Sequence, residues 1–158
     1  MDEPKWLSPD ELEAWKALAG LLFLLPGALD SQLQRDSGLA MADYMVLVML
    51  EEQDDHCMRM SELATSASTS QSRLSRIVGR LEAAGYVTRE MAPDDRRAVL
   101  ATLTASGLAK LVSAAPGHVA QVRTLVFDRL TPVQVHALTD IARALEHPDD
   151  HANCELST

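Results

Sequence analysis

At 158 residues and 17.2 kDa the chain has room for one hydrophobic core plus the segments that join it to a partner, and not for two independent cores. Hydrophobic residues make up 47% and charged residues 23%, which excludes disorder over most of the length. No apolar run approaches the ~18 residues of a membrane span, and Met1-Asp2-Glu3-Pro4 has neither a basic start nor an apolar targeting stretch, so a cytoplasmic protein with no membrane partner is expected. Cys57 and Cys154 lie far apart in different contexts and read as free thiols in a reducing compartment.

The net charge of −9 opposes contact with nucleic acid unless it is unevenly spread. Residues 59–97 hold seven of the 14 basic residues (Arg59, Arg73, Arg76, Arg80, Arg89, Arg96 and Arg97) against five acids (Glu62, Glu82, Glu90, Asp94 and Asp95). That segment carries +2, which leaves −11 for the remainder of the −9 total. Between Ser70 and Leu81 the only charges are Arg73, Arg76 and Arg80, so this stretch is the candidate phosphate-facing surface. A solvated helix face has the same composition, and the neighbouring elements decide between the two.

In chain order, Ser8-Pro9-Asp10-Glu11 opens a helix with a capping residue, proline at the first helical position and a capping-box glutamate. The apolar residues Leu12, Trp15, Ala19, Leu22, Pro26, Leu29 and Leu33 follow at spacings of three and four, a stripe that needs a helical partner, and Pro26 predicts a kink or a break. A second, mostly buried helix is predicted over 41–52, and Asp54-Asp55-His56-Cys57 reads as a polar turn. Residues 60–67 form a short helix, Ser68-Thr69-Ser70 a turn with capping hydroxyls, and 71–84 a longer helix with Leu74, Ile77, Val78 and Leu81 inward and Gly85 closing its end. Short helix, turn and longer helix make a helix-turn-helix. Residues 86–91 and 98–103 have strand composition and flank a turn at 92–97, so a β-hairpin follows at once and completes a winged helix. Thr104 caps a helix expected to bend at Pro116-Gly117 and run to about 129, and Thr131-Pro132-Val133-Gln134 opens another that stops before Pro148.

The order of these elements and several local strings resemble the MarR family over roughly residues 10–147. Ser61-Glu62-Leu63-Ala64 is similar to the first helix of the family's motif, and residues 72–87 to its recognition helix and exit. Asp95-Arg96-Arg97 followed by Leu103-Thr104-Ala105-Ser106-Gly107 resembles its wing signature, Asp-x-Arg and then Leu-Thr-x-x-Gly. The fold expected is mainly α with a small β-hairpin wing. Residues 1–37 and 104–147 would serve dimerisation, 38–103 would form the DNA-binding lobe, and 148–158 a flexible tail. The resemblance implies a homodimeric transcription regulator, usually a repressor, that many relatives release from DNA when a small aromatic or phenolic compound binds between the lobes.

In this reading the recognition helix presents Ser70, Gln71, Ser72, Arg73, Ser75, Arg76 and Arg80 to double-stranded DNA, with Arg73 or Arg76 as the base reader. The alternative for each arginine is an ion pair with Glu62 or Glu82. In the wing, Asp95 orients the tip while Arg97 or Arg96 enters the minor groove, the resemblance favouring Arg97. Trp15, Phe23, Tyr44, Met45 and Met49 are of the kind that line an effector pocket, but such stripes more often are plain core, and no ligand contact follows from them. Cys57 beside His56 fits a solvated turn, and His147, Asp149, His151 and Cys154 fit an acidic tail better than a metal site. No glycine-rich phosphate loop or nucleophile motif is present, so neither an enzyme nor a cofactor is expected. The competing non-catalytic reading is a winged-helix module that binds protein rather than DNA.

Overall fold

A computed structural model of the chain describes residues 4–93, 95 and 97–146. These divide into two compact units, Met1–Val119 and Ala120–Thr158. The first opens with α1 (Pro9–Ser37), where Ser8 Oγ accepts a hydrogen bond from the Glu11 N–H at 3.3 Å and the Glu11 carboxylate accepts one from the Ser8 N–H at 2.7 Å. It ends at Gly38, which takes the left-handed φ of 69° and donates to the Gln34 carbonyl. The break expected at Pro26 does not occur: the helix runs through it. A proline costs about 3 kcal/mol in a helix interior, and full turns on both sides, with Leu29 and Leu33 anchored in the core, hold the segment helical.

Upstream of Leu29 the stripe is exposed in the single chain, with Trp15 at 55%, Phe23 at 86% and Leu24 at 75%. By length and composition α1 would also suffice to cross a membrane, which corrects the expectation that no such stretch exists. Few charges are interleaved among its apolar positions, so the average is high although no run is continuous.

α2 (Met41–Glu51) buries Tyr44, Val46, Leu47 and Leu50. α3 (Met60–Ser66) and α4 (Gln71–Ala83) are separated by a turn in which Ser68 takes φ 46°. α4 packs Leu74, Ile77, Val78 and Leu81 into one core with Leu33, Leu47, Leu50 and Leu63. Among the described residues the strands make one antiparallel sheet in the order β1-β3-β2, from β1 (Cys57–Arg59), β2 (Val87–Met91) and β3 (Val99–Leu103). The hairpin register pairs Val87 with Leu103 and Met91 with Val99. β1 replaces part of the predicted turn. His56 reverses the chain at φ 53°, and Cys57 pairs with Thr102, whose hydroxyl donates to the Cys57 sulfur at 3.3 Å.

α5 (Ala105–Leu125) passes unbroken through Pro116 and leads into the second unit. There a 3-10 turn (Phe127–Arg129) precedes α6 (Pro132–Glu146), opened by the expected box: the Thr131 N–H donates to Gln134 Oε1 at 2.9 Å and Thr131 Oγ1 accepts from the Gln134 N–H at 3.4 Å. Val133, Ile141 and Leu145 of α6 are exposed. The tail at 148–158, with the histidines and cysteine considered above, lies outside the described residues.

The Leu-Thr-x-x-Gly string closes the wing. Thr104 Oγ1 donates to the Gly85 carbonyl at 2.7 Å and accepts from the Gly107 N–H at 3.0 Å, while the Thr104 N–H donates to the Tyr86 carbonyl at 3.0 Å. A Cβ on Gly107 would fall 2.1 Å from that same Tyr86 oxygen. Gly107→Ala therefore forces the end of β3 away from the start of β2, and a loss of about 3–5 kcal/mol is expected in urea unfolding. A Gly107→Ala protein as stable as the parent would contradict this packing.

The rings of Tyr44 and His118 lie 4.7 Å apart, and burial pushes the imidazole pKa down and the phenol pKa up. A depressed histidine pKa stabilises the fold above the ordinary imidazole value and loses that contribution as pH falls through the lower folded value. Between about pH 7.5 and about pH 5 the melting temperature of the parent should drop more than that of His118→Phe. Equal drops would show that His118 carries none of the acid sensitivity.

Candidate nucleic-acid interface

The recognition surface starts from the periodicity of α4. Its buried residues, Leu74, Ile77, Val78 and Leu81, leave Gln71, Ser72, Arg73, Ser75, Arg76 and Arg80 exposed on the remaining arc. Ser70 caps the helix, its Oγ accepting from the Arg73 N–H at 3.3 Å and lying 3.2 Å from Ser72 Oγ. Gly79 shares the outer face, and a Cβ there would meet nothing within 4 Å, so the helix can lie close to a flat partner.

The fates of the arginines differ. Arg73 and Arg76 make no ion pair among the described residues, which removes the pairing with Glu62 or Glu82 considered above. Glu62 accepts from the Arg59 N–H instead, and Glu82 is held by Arg89. Arg80 turns back into the protein: its Nη2 lies 2.6 Å from Asp43 Oδ1, with the arginine side chain 56% exposed and that of the aspartate 11%. The sequence offers Glu62 or Glu82 as its partner, and the structure gives it Asp43 instead. Asp43 was legible only as an isolated acid in the apolar run 41–50.

At the wing, the Asp95 carboxylate accepts from the Arg97 N–H at 2.9 Å and its carbonyl from the Ala98 N–H at 2.9 Å, so the acid is turned into the turn it shapes. The Arg97 side chain is exposed. Asp94 and Arg96 lie outside the described residues. The hairpin is tied to α4 by Arg89, whose Nε donates to Glu82 Oε2 at 3.0 Å and whose Nη2 contacts the same oxygen. That contact holds the Glu82 carboxyl below its usual range and raises Arg89.

Beside this surface is an open cleft of about 900 Å³ lined by α1 (Pro26, Gly27, Asp30, Gln34), the start of α2 and Arg73, Arg76, Ile77 and Arg80. Of the residues considered for an effector pocket, Met45 and Met49 line a smaller cleft of about 320 Å³ between α2 and the α3–α4 turn. Tyr44 is in the core, and Trp15 and Phe23 stand in the open.

A capped basic helix after a short helix and turn, followed by a hairpin with an outward arginine, defines a winged helix-turn-helix. A family profile described as "MarR family" matches residues 37–98. The solved structure of Sco3205, a MarR family transcriptional regulator from Streptomyces coelicolor in complex with DNA, is 44% identical, covers 94% of this chain and 92% of its own, and superposes with a TM-score of 0.88. The Escherichia coli HTH-type transcriptional regulator PapX is 34% identical over 71 residues, 45% of this chain and 43% of PapX. The E. coli transcriptional repressor MprA is 34% identical over 64 residues, 40% of this chain and 36% of MprA. The chain thus spans less than half the length of these curated relatives. It belongs to the MarR family of transcriptional regulators, a class of DNA-binding proteins and not of enzymes.

Proposed function

We propose that two copies of this chain bind a pseudo-palindromic operator, each placing α4 in the major groove and the β2–β3 hairpin in the adjacent minor groove, and so regulate transcription in the cytoplasm. The observation that carries this is the pair Arg73 and Arg76, exposed and without an ion-pair partner among the described residues of a protein whose net charge is −9. An arginine fork matches the two acceptors of guanine, and Gln71, Ser72 and Ser75 beside it are short enough to allow close approach. Ser70 supplies the cap that sets the first turn. Arg97 extends from a turn whose Asp95 is occupied by the backbone, which suits the electronegative minor groove, and the reading extends to Arg96 next to it.

Dimerisation is supported by the exposed apolar residues of α1 and, in the second unit, of α6, which exceed what monomers leave open to water. The segments 1–37 and 104–147 would then be the dimerisation region and 38–103 the DNA-binding lobe. A two-fold dimer reads half-sites about one helical turn, ~10 base pairs, apart. Repression is the sense of regulation this reading takes, MprA being named a repressor. The cleft lined by Arg73, Arg76 and Arg80 suits a small aromatic anion, which would draw charge from the groove-facing helix and release DNA.

The test is selection of bound duplexes from random DNA, followed by binding to the selected and a scrambled duplex at several salt concentrations. Log affinity should fall linearly with log salt, with a slope of about −0.9 for each phosphate neutralised. Arg73→Ala or Arg76→Ala should weaken the selected duplex by about 5- to 150-fold, the equivalent of roughly 1–3 kcal/mol. Sedimentation should find two chains per duplex. A flat salt response, or both variants binding as the parent does, would refute the reading.

A further inference from the structure

α4 is attached to the rest of the lobe mainly by Leu74, Ile77, Val78 and Leu81, and such contacts are non-directional. They fix depth better than rotation about the helix axis. A rotation of one residue, 100°, would replace Arg73 and Arg76 by other side chains at the groove. Directional bonds are needed as well: Glu82 holds the end of α4 to Arg89 of the hairpin, and Asp43 holds Arg80 to α2.

Asp43 is the only charged residue between 41 and 50 and is 8% exposed. A buried carboxylate costs several kcal/mol unless it is paired, and an apolar residue would fill the same space at no such cost. Here each oxygen has a partner. Oδ2 accepts from the Ala40 N–H at 3.4 Å, closing the start of α2, and Oδ1 takes Arg80 Nη2 at 2.6 Å, 37 residues away on α4. The neighbouring amide is held from the other side: the Met41 N–H donates to Asp30 Oδ1 of α1 at 2.7 Å. Two aspartates thus pin the beginning of α2 to α1 and the outer face of α4 to α2. Arg80 is one helical turn beyond Arg76 and two beyond Arg73, on the same side.

We infer that Asp43, acting through Arg80, is a positioning residue for DNA recognition, fixing the rotation of α4 so that Arg73 and Arg76 meet base edges. The inference rests on the DNA-binding reading above. It takes Arg80 off the DNA and makes it the protein's own anchor.

The experiment compares the parent, Asp43→Asn, Arg80→Gln and the double variant in two measurements. The first is affinity for the selected duplex against a scrambled duplex of equal length. A positioning role predicts a loss of about tenfold or more on the selected duplex, the worth of one base contact, with the scrambled duplex unchanged. The double variant should be no worse than either single one, because both remove the same tether. A folding defect would instead lower both affinities together, and a phosphate contact by Arg80 would make the double variant additive and reduce the salt slope; either overturns the inference. Should Asp43→Asn fail to fold, Arg80→Gln, altered at a half-exposed side chain, carries the comparison alone.

The second measurement is hydrogen exchange on the free proteins. Amides of α4 should exchange faster in the variants while those of β2 and β3 do not, and unchanged α4 exchange overturns the tether whatever the DNA result. A parent that shows no preference for any selected duplex would overturn the DNA-binding reading itself, and the positioning role with it.

Discussion

Keeping a few guanidinium groups unpaired in an acidic protein is the constraint on which this structure turns. With a net charge of −9, the default fate of any surface arginine is a nearby carboxylate. Four of the acids nearest the α4 and hairpin arginines are instead engaged elsewhere. Glu82 is taken by Arg89, Asp43 by Arg80, Glu62 by the Arg59 N–H and Asp95 by the Arg97 N–H. Arg73 and Arg76 on one helix and Arg97 on the hairpin tip make no ion pair among the described residues. Internal bonding of these carboxylates thus leaves exposed positive charge on an acidic chain.

The same bonds give the surface its shape. Glu82 ties the hairpin to the end of α4, and the Thr104 hydroxyl closes the junction between Gly85 and Gly107, where the Tyr86 carbonyl leaves no space for a side chain. β1 adds a third strand behind the hairpin, so the wing projects from a small sheet and not from an isolated ribbon, which would be marginal in water. Helix and wing are thus joined by side-chain hydrogen bonds as well as by the chain.

Much of this was legible in the residues themselves. The boxes at Ser8 and Thr131, the cap at Ser70 and the stop at Gly85 are short-range devices, and each is found where the local chemistry placed it. So is the division of α4 into an apolar and a basic face. The effector question was less legible, because Trp15 and Phe23 of α1 and Tyr44 of α2 are alike in kind but end in different surroundings.

Local rules decide helices, caps and turns because the groups involved lie within four residues of one another, and the sequence by itself determined those here, together with the arginine-rich character of the 71–80 helix. Only the tertiary structure decided which arginines stay free. Arg80 finds its acid 37 residues away, β1 exists only because β3 lies beside it, and α1 passes through Pro26 with its lower turns anchored in the core. Each of these outcomes depends on a contact between segments distant in the chain, whose energy has no counterpart in the local pattern.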